Sequence, residues 1–279
     1  MAELPEIETL RHDLEREVAG KRIKTVELTG MKSLSRHQNR KQVVSQLEGA
    51  KITAVRRRGV LLLFKLDNGK LFVVDASASG HLRKAAPKDA VEPHTQAVIA
   101  FTQGGQLRIV DPAEGGLQMF VVEADELEAE VPALANEGQD PVTAPMSWLA
   151  FADILRKSDA KLKVLLMDPT VVAGVGPMYS DEILWDSGLK AERIANGLST
   201  QEERRLHRSV VEIMHDAIKH RGTSLGDDPF VDLAGKSGGY QEYLNAFEKA
   251  GEACKRCRSV IVKRKVSGRV TFACEECQV

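Results

Sequence analysis

The carboxyl-terminal stretch Cys254-Lys-Arg-Cys257, followed after sixteen residues by Cys274-Glu-Glu-Cys277, holds every cysteine of the 279-residue chain. Two C-x-x-C knuckles at this separation let four thiolates converge on a tetrahedron, and Zn²⁺ is the commonest ion for an all-sulfur site of that shape. The intervening segment Arg258-Ser-Val-Ile-Val-Lys-Arg-Lys-Val-Ser-Gly-Arg-Val-Thr-Phe272 interleaves apolar and basic residues around Ser267-Gly268, which predicts two short strands joined by a turn. The stretch reads as a zinc-stapled β-hairpin, with Cys254, Cys257, Cys274 and Cys277 as ligands of one structural Zn²⁺. Two disulfides are the competing use of four cysteines, and a chain that opens without an apolar secretory segment argues against them. A staple alone would not need Lys255, Arg256, Arg258, Lys263, Arg264, Lys265 and Arg269, which meet no carboxylate until Glu275. A basic hairpin of this kind suits the gripping of phosphates.

Upstream, 43% hydrophobic residues in a chain of this length support two cores and a small metal module. The formal net charge of −1 excludes a protein that coats polyanions by bulk charge, so any nucleic-acid surface has to be a local patch. No run approaches the length of a membrane-spanning helix. Reduced cysteines and the lack of a leader-like opening lead us to expect a cytoplasmic, nucleoid-associated monomer.

In chain order, Ile7, Leu10, Leu14 and Val18 fall at helical spacing, Pro5 suits a first helical turn and Gly20 a C-terminal cap, so a helix starts almost at the amino terminus. From Lys21 to about Val131 the period becomes two. Ile23–Val26, Ile52–Val55, Val60–Phe64, Leu71–Val74, Ala97–Phe101, Gln106–Ile109 and Met119–Val122 are strand candidates, which implies a β-sandwich or barrel. Arg56-Arg57-Arg58-Gly59 is a basic cluster at the start of a strand, and most such clusters are merely solvated. Residues Ala133 to Pro145 have linker composition. Helices are then expected from a Ser147 cap to about Lys157, from about Lys161 to Met167, from Met178 to about Trp185, and from Thr200 to about His220. Gly174-Val-Gly176 feeds the third of these, where loop amides can point at an anion, although by themselves the glycines fit a tight interhelical turn better.

Met1-Ala-Glu-Leu-Pro-Glu-Ile-Glu8, Arg57-Arg-Gly-Val-Leu-Leu-Leu-Phe64, Ser79-Gly-His-Leu-Arg83, Asp111-Pro112, Asp168-x-x-Val-Val-Ala-Gly-Val-Gly176-x-x-Tyr179-x-Asp-Glu-Ile-Leu184, Gly222-Thr-Ser-Leu225 and Gly268-Arg269-x-Thr-Phe-x-Cys274-x-x-Cys277-Gln278 stand in order along the chain. Together they resemble the formamidopyrimidine-DNA glycosylase and endonuclease VIII family. The resemblance implies an α+β fold: a β-sandwich with an N-terminal helix over residues 1–132, a linker at 133–145, a helix-two-turn-helix DNA-binding domain at 146–235 and a zinc finger at 236–279. It also implies base excision repair of damaged or abasic DNA held in the cleft between halves. There the nucleotide is flipped out, the N-terminal amine attacks C1′, and the Schiff base is cleaved by elimination. On this resemblance Ala2, Glu3 and Glu6 are the catalytic positions, with Glu3 as proton shuttle. His94, Lys163, Gly174, Gly176 and Arg269 are the DNA-binding ones.

This sequence departs from the family's pattern at several of these positions. The usual N-terminal proline is Ala2, whose small side chain favours removal of Met1 and whose primary amine, with an ordinary pKa of about 8, still forms an imine. The lysine expected after Arg58-Gly59 is Val60, and the intercalating methionine falls at Ala78. The arginine and phenylalanine expected after Asp111-Pro112 give way to Ala113-Glu114-Gly115-Gly116, and the phosphate-binding asparagine after Gly176 is Pro177. Void-filling side chains offset a stacking loss of a few kcal/mol when a base is extruded. Their replacement leads us to expect altered substrate choice, such as single strands, abasic sites or bulky adducts, with a non-catalytic damaged-DNA binder as the alternative. A zinc-ribbon RNA-binding protein would leave the ordered amino terminus unexplained.

Overall fold

The structure, a computed structural model, describes residues 2–143, 146–227 and 229–279. Met1, and Ala144 and Pro145 at the end of the expected linker, lie outside the described residues. Helix α1 (Leu4–Val18) buries Ile7, Leu10, Leu14 and Val18, the periodic residues of the sequence. The strands are β1 (Ile23–Leu28), β2 (Ile52–Arg58), β3 (Leu61–Leu66), β4 (Lys70–Asp75), β5 (His81–Ala85), β6 (Thr95–Phe101), β7 (Gln106–Val110) and β8 (Gln118–Glu123). They form two antiparallel four-stranded sheets, ordered β1-β6-β7-β5 and β2-β3-β4-β8. One core joins Val26, Leu82, Ile99 and Ile109 of the first sheet to Val55, Phe64, Phe72 and Val121 of the second and to the apolar stripe of α1.

The run Leu61–Phe64 does not alternate because the second sheet is covered on both faces. Leu62 and Phe64 face the main core. Leu61, Leu63, Leu71, Val73, Phe120 and Val122 form a second cluster beneath Leu127 and Leu134, which come from helix α3 (Leu127–Glu130) and the following short turn. Each large apolar side chain removed from water contributes about 1.5–3 kcal/mol, so the outer cluster is a core in its own right.

Helix α2 (Arg40–Leu47) and strand β5 are among the elements that escape the period-two reading. Helix α2 buries only Val43 and Leu47, too few for a visible period, and is set by Asn39, whose side chain accepts from the amide of Gln42. Strand β5 lies at the edge of its sheet and was legible only as part of a motif.

The remaining elements are α4 (Trp148–Lys157), α5 (Leu162–Leu166), α6 (Pro177–Ser187), α7 (Thr200–Lys219), β9 (Ile261–Val266) and β10 (Arg269–Cys274). Ser147 caps α4 through the amide of Ala150, as its position predicts. Strands β9 and β10 pair antiparallel across Ser267 and Gly268, both at positive φ, as a two-residue hairpin turn requires.

The chain divides into two compact units whose limits differ from the expected domain boundaries. Residues up to Ala135 are joined by His220–Gly239, and Asn136–Lys219 are joined by Tyr240–Val279. The 220–239 segment returns to the first unit because Arg221 pairs with Asp13 at 2.5 Å and Asp232 at 2.7 Å, and the amide of Lys84 donates to the Leu233 carbonyl at 3.0 Å. The cysteine hairpin is not a separate body. Ile261, Phe272, Cys254 and Cys274 share a core with Trp185 of α6.

Candidate functional site

In the first unit the amino terminus is fixed by backbone. The nitrogen of Ala2 donates to the Ser77 carbonyl at 2.8 Å, and Ser77 is itself held by its amide and hydroxyl on Asp75 at 3.0 and 2.6 Å. Glu3 is the N-cap of α1 and forms a capping box with Glu6. Both side chains are buried, with 5% and 1% of their residues' surface exposed. Glu6 accepts from the amide of Glu3 at 2.9 Å through one oxygen and from the amide of Thr223 at 2.7 Å through the other. Glu6 is therefore placed as a brace, and the Glu3 side chain caps the first turn of α1 from the residue next to Ala2. Gly222 has φ +77°, and a Cβ there would stand 2.8 Å from a Glu6 oxygen, so the Gly-Thr-Ser-Leu motif brings bare backbone onto that carboxylate.

Asp111, fully buried, accepts from the hydroxyl of Ser79 at 2.7 Å and from the amides of Gly115 and Leu117. Burial pushes its carboxyl up, but the Gly115 amide, the Ser79 hydroxyl and the Leu117 amide outweigh it and hold the group below the usual carboxylate range. The loop is thus closed over its own acid. Its side chains are small apart from Glu114, which pairs with Lys32 at 2.7 Å and His94 Nδ1 at 3.6 Å. His94, a proposed DNA contact, is half-exposed with φ +60°.

The arginine cluster before Val60 is neutralised by acids, and only its middle member is out of solvent. Arg57 is buried against Glu8 at 2.8 Å, Arg56 pairs with Glu15 at 3.1 Å and Arg58 with Glu128 at 2.7 Å. These acids lie 41 or more residues away in sequence, so the neutralisation was invisible there.

In the second unit Lys163 corrects the sequence reading. Its side chain is wholly out of solvent, so the ammonium cannot reach a phosphate. It donates to the Pro177 carbonyl at 2.7 Å, Ser180 Oγ at 2.9 Å and Asp181 Oδ1 at 2.7 Å. Burial raises the Asp181 carboxyl to about 7 against the pull of that ammonium. Gly174 adopts φ +70° and Gly176 is the N-cap of α6. Among the described residues the amides of Gly174 and Val175 have no partner, which leaves two donors beside the positive end of a helix. The side chain of Arg269, at the start of β10, also makes no hydrogen bond or ion pair among the described residues. Other hairpin cations serve the fold. Arg256 lies over the Trp185 ring at 4.0 Å, and Arg264 joins Glu192 and Glu275 at 2.8 and 2.9 Å.

The four cysteine sulfurs lie within 4.8 Å of one another, with Cys254 to Cys277 at 3.6 Å and Cys257 to Cys274 at 3.3 Å. A disulfide needs about 2.0 Å, whereas a tetrahedron with metal–sulfur bonds of about 2.3 Å places sulfurs about 3.8 Å apart. The residues therefore fit a metal ion and no disulfide. Burial pushes the Cys254 thiol up, yet the Cys257 amide, the Trp185 indole and the Arg256 amide bring it down to about 6, which favours the thiolate a metal takes. Sequence reasoning missed two supports of this hairpin on α6. Asp181 Oδ2 accepts from the amide of Phe272 at 3.0 Å, and the buried Glu182 accepts from the amides of Asn245, Ala246 and Phe247. Their signal was a pair of adjacent acids, Asp181 and Glu182, followed directly by the apolar run Ile183-Leu-Trp185 of α6.

A β-sandwich led by an N-terminal helix, followed by a helix-turn-helix unit that carries a four-cysteine hairpin, defines a class of two-unit nucleic-acid proteins. Residues 1–116 match the formamidopyrimidine-DNA glycosylase N-terminal domain and residues 138–228 the formamidopyrimidine-DNA glycosylase H2TH domain. The chain belongs to the formamidopyrimidine-DNA glycosylase family. It is 32% identical to the formamidopyrimidine-DNA glycosylase of Pelotomaculum thermopropionicum, over 100% of this chain and 99% of that one. It is also similar to the Lactococcus lactis Fpg solved with abasic-site DNA (32% identity, TM-score 0.89, 99% of each chain). The same enzyme solved with N7-benzyl-Fapy-dG DNA gives the same identity, coverage and TM-score of 0.89. Among the described residues no helix is long and apolar enough to cross a membrane.

Proposed function

We propose that this protein is a DNA glycosylase and abasic-site lyase that binds damaged DNA and reacts through the α-amine of Ala2. The observation that carries the reading is the pinned terminus: the Ala2 nitrogen rests on Ser77 at 2.8 Å while Glu3 and Glu6 are locked beside it. With Met1 removed, the unprotonated amine attacks C1′ of the opened sugar and loses water to give an imine. The imine acidifies C2′, and loss of that proton expels the 3′ phosphate. Glu3 is the group positioned to move protons, and Glu6 keeps the terminus in place. The neighbouring carboxylates favour the protonated amine and Val60 supplies no cation to oppose them, so turnover is slow.

Substrate choice follows from the loop closed over Asp111. Ala78 and Ala113 are small and Glu114 is tied to Lys32, so no bulky group replaces an extruded base. Lesions that have already lost stacking, above all abasic sites, then react best. Arg269 and the Gly174–Gly176 loop grip the DNA backbone, and Zn²⁺ held by Cys254, Cys257, Cys274 and Cys277 keeps the hairpin folded.

The test compares strand incision of a duplex bearing a preformed abasic site with one bearing an oxidised guanine. Faster incision of the abasic duplex is expected. Equal or faster processing of the oxidised guanine refutes the substrate assignment, and binding of both without incision establishes the non-catalytic binder.

A further inference from the structure

Lys163 and Asp181 form an ion pair with no solvent exposure on either side chain. One end braces the first turn of α6. The ammonium takes the Pro177 carbonyl and Ser180 Oγ, and that hydroxyl donates in turn to the Gly176 carbonyl at 2.6 Å. The other end reaches the hairpin, where Asp181 Oδ2 accepts from the amide of Phe272 at 3.0 Å. Phe272 pairs with Lys263 in the same β10 ladder that begins at Arg269. A buried pair is a weak source of stability, since its desolvation rivals its attraction, and its best-attested use is to fix register. Here each of the elements it joins carries donors without a partner among the described residues, the loop amides of Gly174 and Val175 and the guanidinium of Arg269.

We propose that Lys163 and Asp181 are positioning residues for phosphate binding. The pair holds the N-terminus of α6 and the strand bearing Arg269 in one register, so that loop amides and guanidinium engage the DNA backbone as a single unit. The proposal rests on the reading that Arg269 contacts phosphate. It replaces the direct contact that sequence alone assigned to Lys163, and it supplies a preorganised geometry where Pro177 offers no donor of its own.

Truncating Lys163 alone would strand a buried carboxylate, so the test uses Lys163→Met with Asp181→Asn, which removes both charges and keeps an acceptor for the Phe272 amide. Asp181→Asn alone is the second variant, read by the same criterion if the double variant does not fold. Affinity for a duplex with one tetrahydrofuran abasic-site analogue is measured from 50 to 200 mM salt, with and without Arg269→Ala, and zinc content and melting serve as controls for folding. Loss of one phosphate contact flattens the salt slope by about 0.9, or roughly 3.5-fold less affinity change across that range. Arg269→Ala is expected to produce this in the natural background and less than about half of it when the pair is absent. An equal effect of Arg269→Ala in both backgrounds overturns the positioning role while leaving the phosphate reading intact. No effect of Arg269→Ala in the natural background overturns both.

Discussion

Replacing Gly222 by alanine separates the structural and chemical parts of the amino-terminal site. Gly222 has φ +77°, and an added Cβ would lie 2.8 Å from a Glu6 oxygen and 2.9 Å from its Cγ. The left-handed backbone alone costs an L-residue about 1–2 kcal/mol. Glu6 cannot swing away freely, because it is buried and bonded to the amides of Glu3 and Thr223. Giving up one amide bond to a charged carboxylate costs about 1.5–3 kcal/mol more, so the total is about 3–5 kcal/mol. Gly20 provides the control, since it has φ +84° and nothing within 4 Å of a built Cβ. Gly20→Ala should show only the backbone cost. In urea denaturation, with a slope of about 2 kcal/mol per M, Gly222→Ala should lower the midpoint by roughly 1.5–2.5 M and Gly20→Ala by no more than about 1 M. Lyase activity should fall with Gly222→Ala well below the denaturation midpoint, because the brace that sets Ala2 and Glu3 has moved, and it should persist with Gly20→Ala. Equal costs for the two variants would show that Glu6 does not hold the Gly222 backbone and would refute the argument.

Chelation of the metal should raise hydrogen exchange across residues 254–277 and leave the sandwich strands protected, because the hairpin has little core beyond the few residues it shares with Trp185; folded protein that metal analysis finds free of zinc contradicts this. Glu202 is depressed to about 2: burial pushes it up, but the Ser199 amide, Arg193 and the Ser199 hydroxyl outweigh it. A depressed carboxylate stabilises the fold above its ordinary value of 4.5, and the contribution is lost as pH falls from there towards 2. Glu202→Gln should therefore cost about 1–2 kcal/mol at pH 7 after solvent screening and progressively less as pH falls towards 2, and a pH-independent cost measured by thermal melting would show that the charge is not responsible. Glu114→Ala removes a solvent-screened pair with Lys32 and should leave the melting temperature almost unchanged; a clear loss in calorimetry would mean that the loop over Asp111 depends on Glu114 and not on the aspartate.

Local signals carried most of the fold. The stripe Ile7, Leu10, Leu14 and Val18, the Ser147 cap and the cysteine spacing each act within a few residues and were legible. What could not be read depends on partners distant in sequence. Lys163 was assigned to DNA by resemblance alone, and its partner Asp181 lies 18 residues on, yet Leu162, Leu165 and Leu166 around it are all buried, a clue that this lysine sits on an inward face. Arg56, Arg57 and Arg58 gave no sign of their ion pairs, nor Arg57 of its burial, because Glu15, Glu8 and Glu128 are supplied by other elements. Glu6 was legible as an important acid, but its bond to Thr223 spans 217 residues, so its bracing geometry needed the structure. The return of residues 220–239 to the first unit has the same origin.

The central claim, that the Ala2 amine is the nucleophile, is tested most directly by borohydride trapping on abasic-site DNA. Reduction of the imine should give a covalent protein–DNA adduct whose crosslinked peptide begins at Ala2, with protein from which Met1 has been removed, as mass spectrometry of the native terminus would establish. Protein carrying an N-terminal extension, which turns that amine into an amide, should give none. Equal trapping by both forms would place the nucleophile elsewhere and contradict the account.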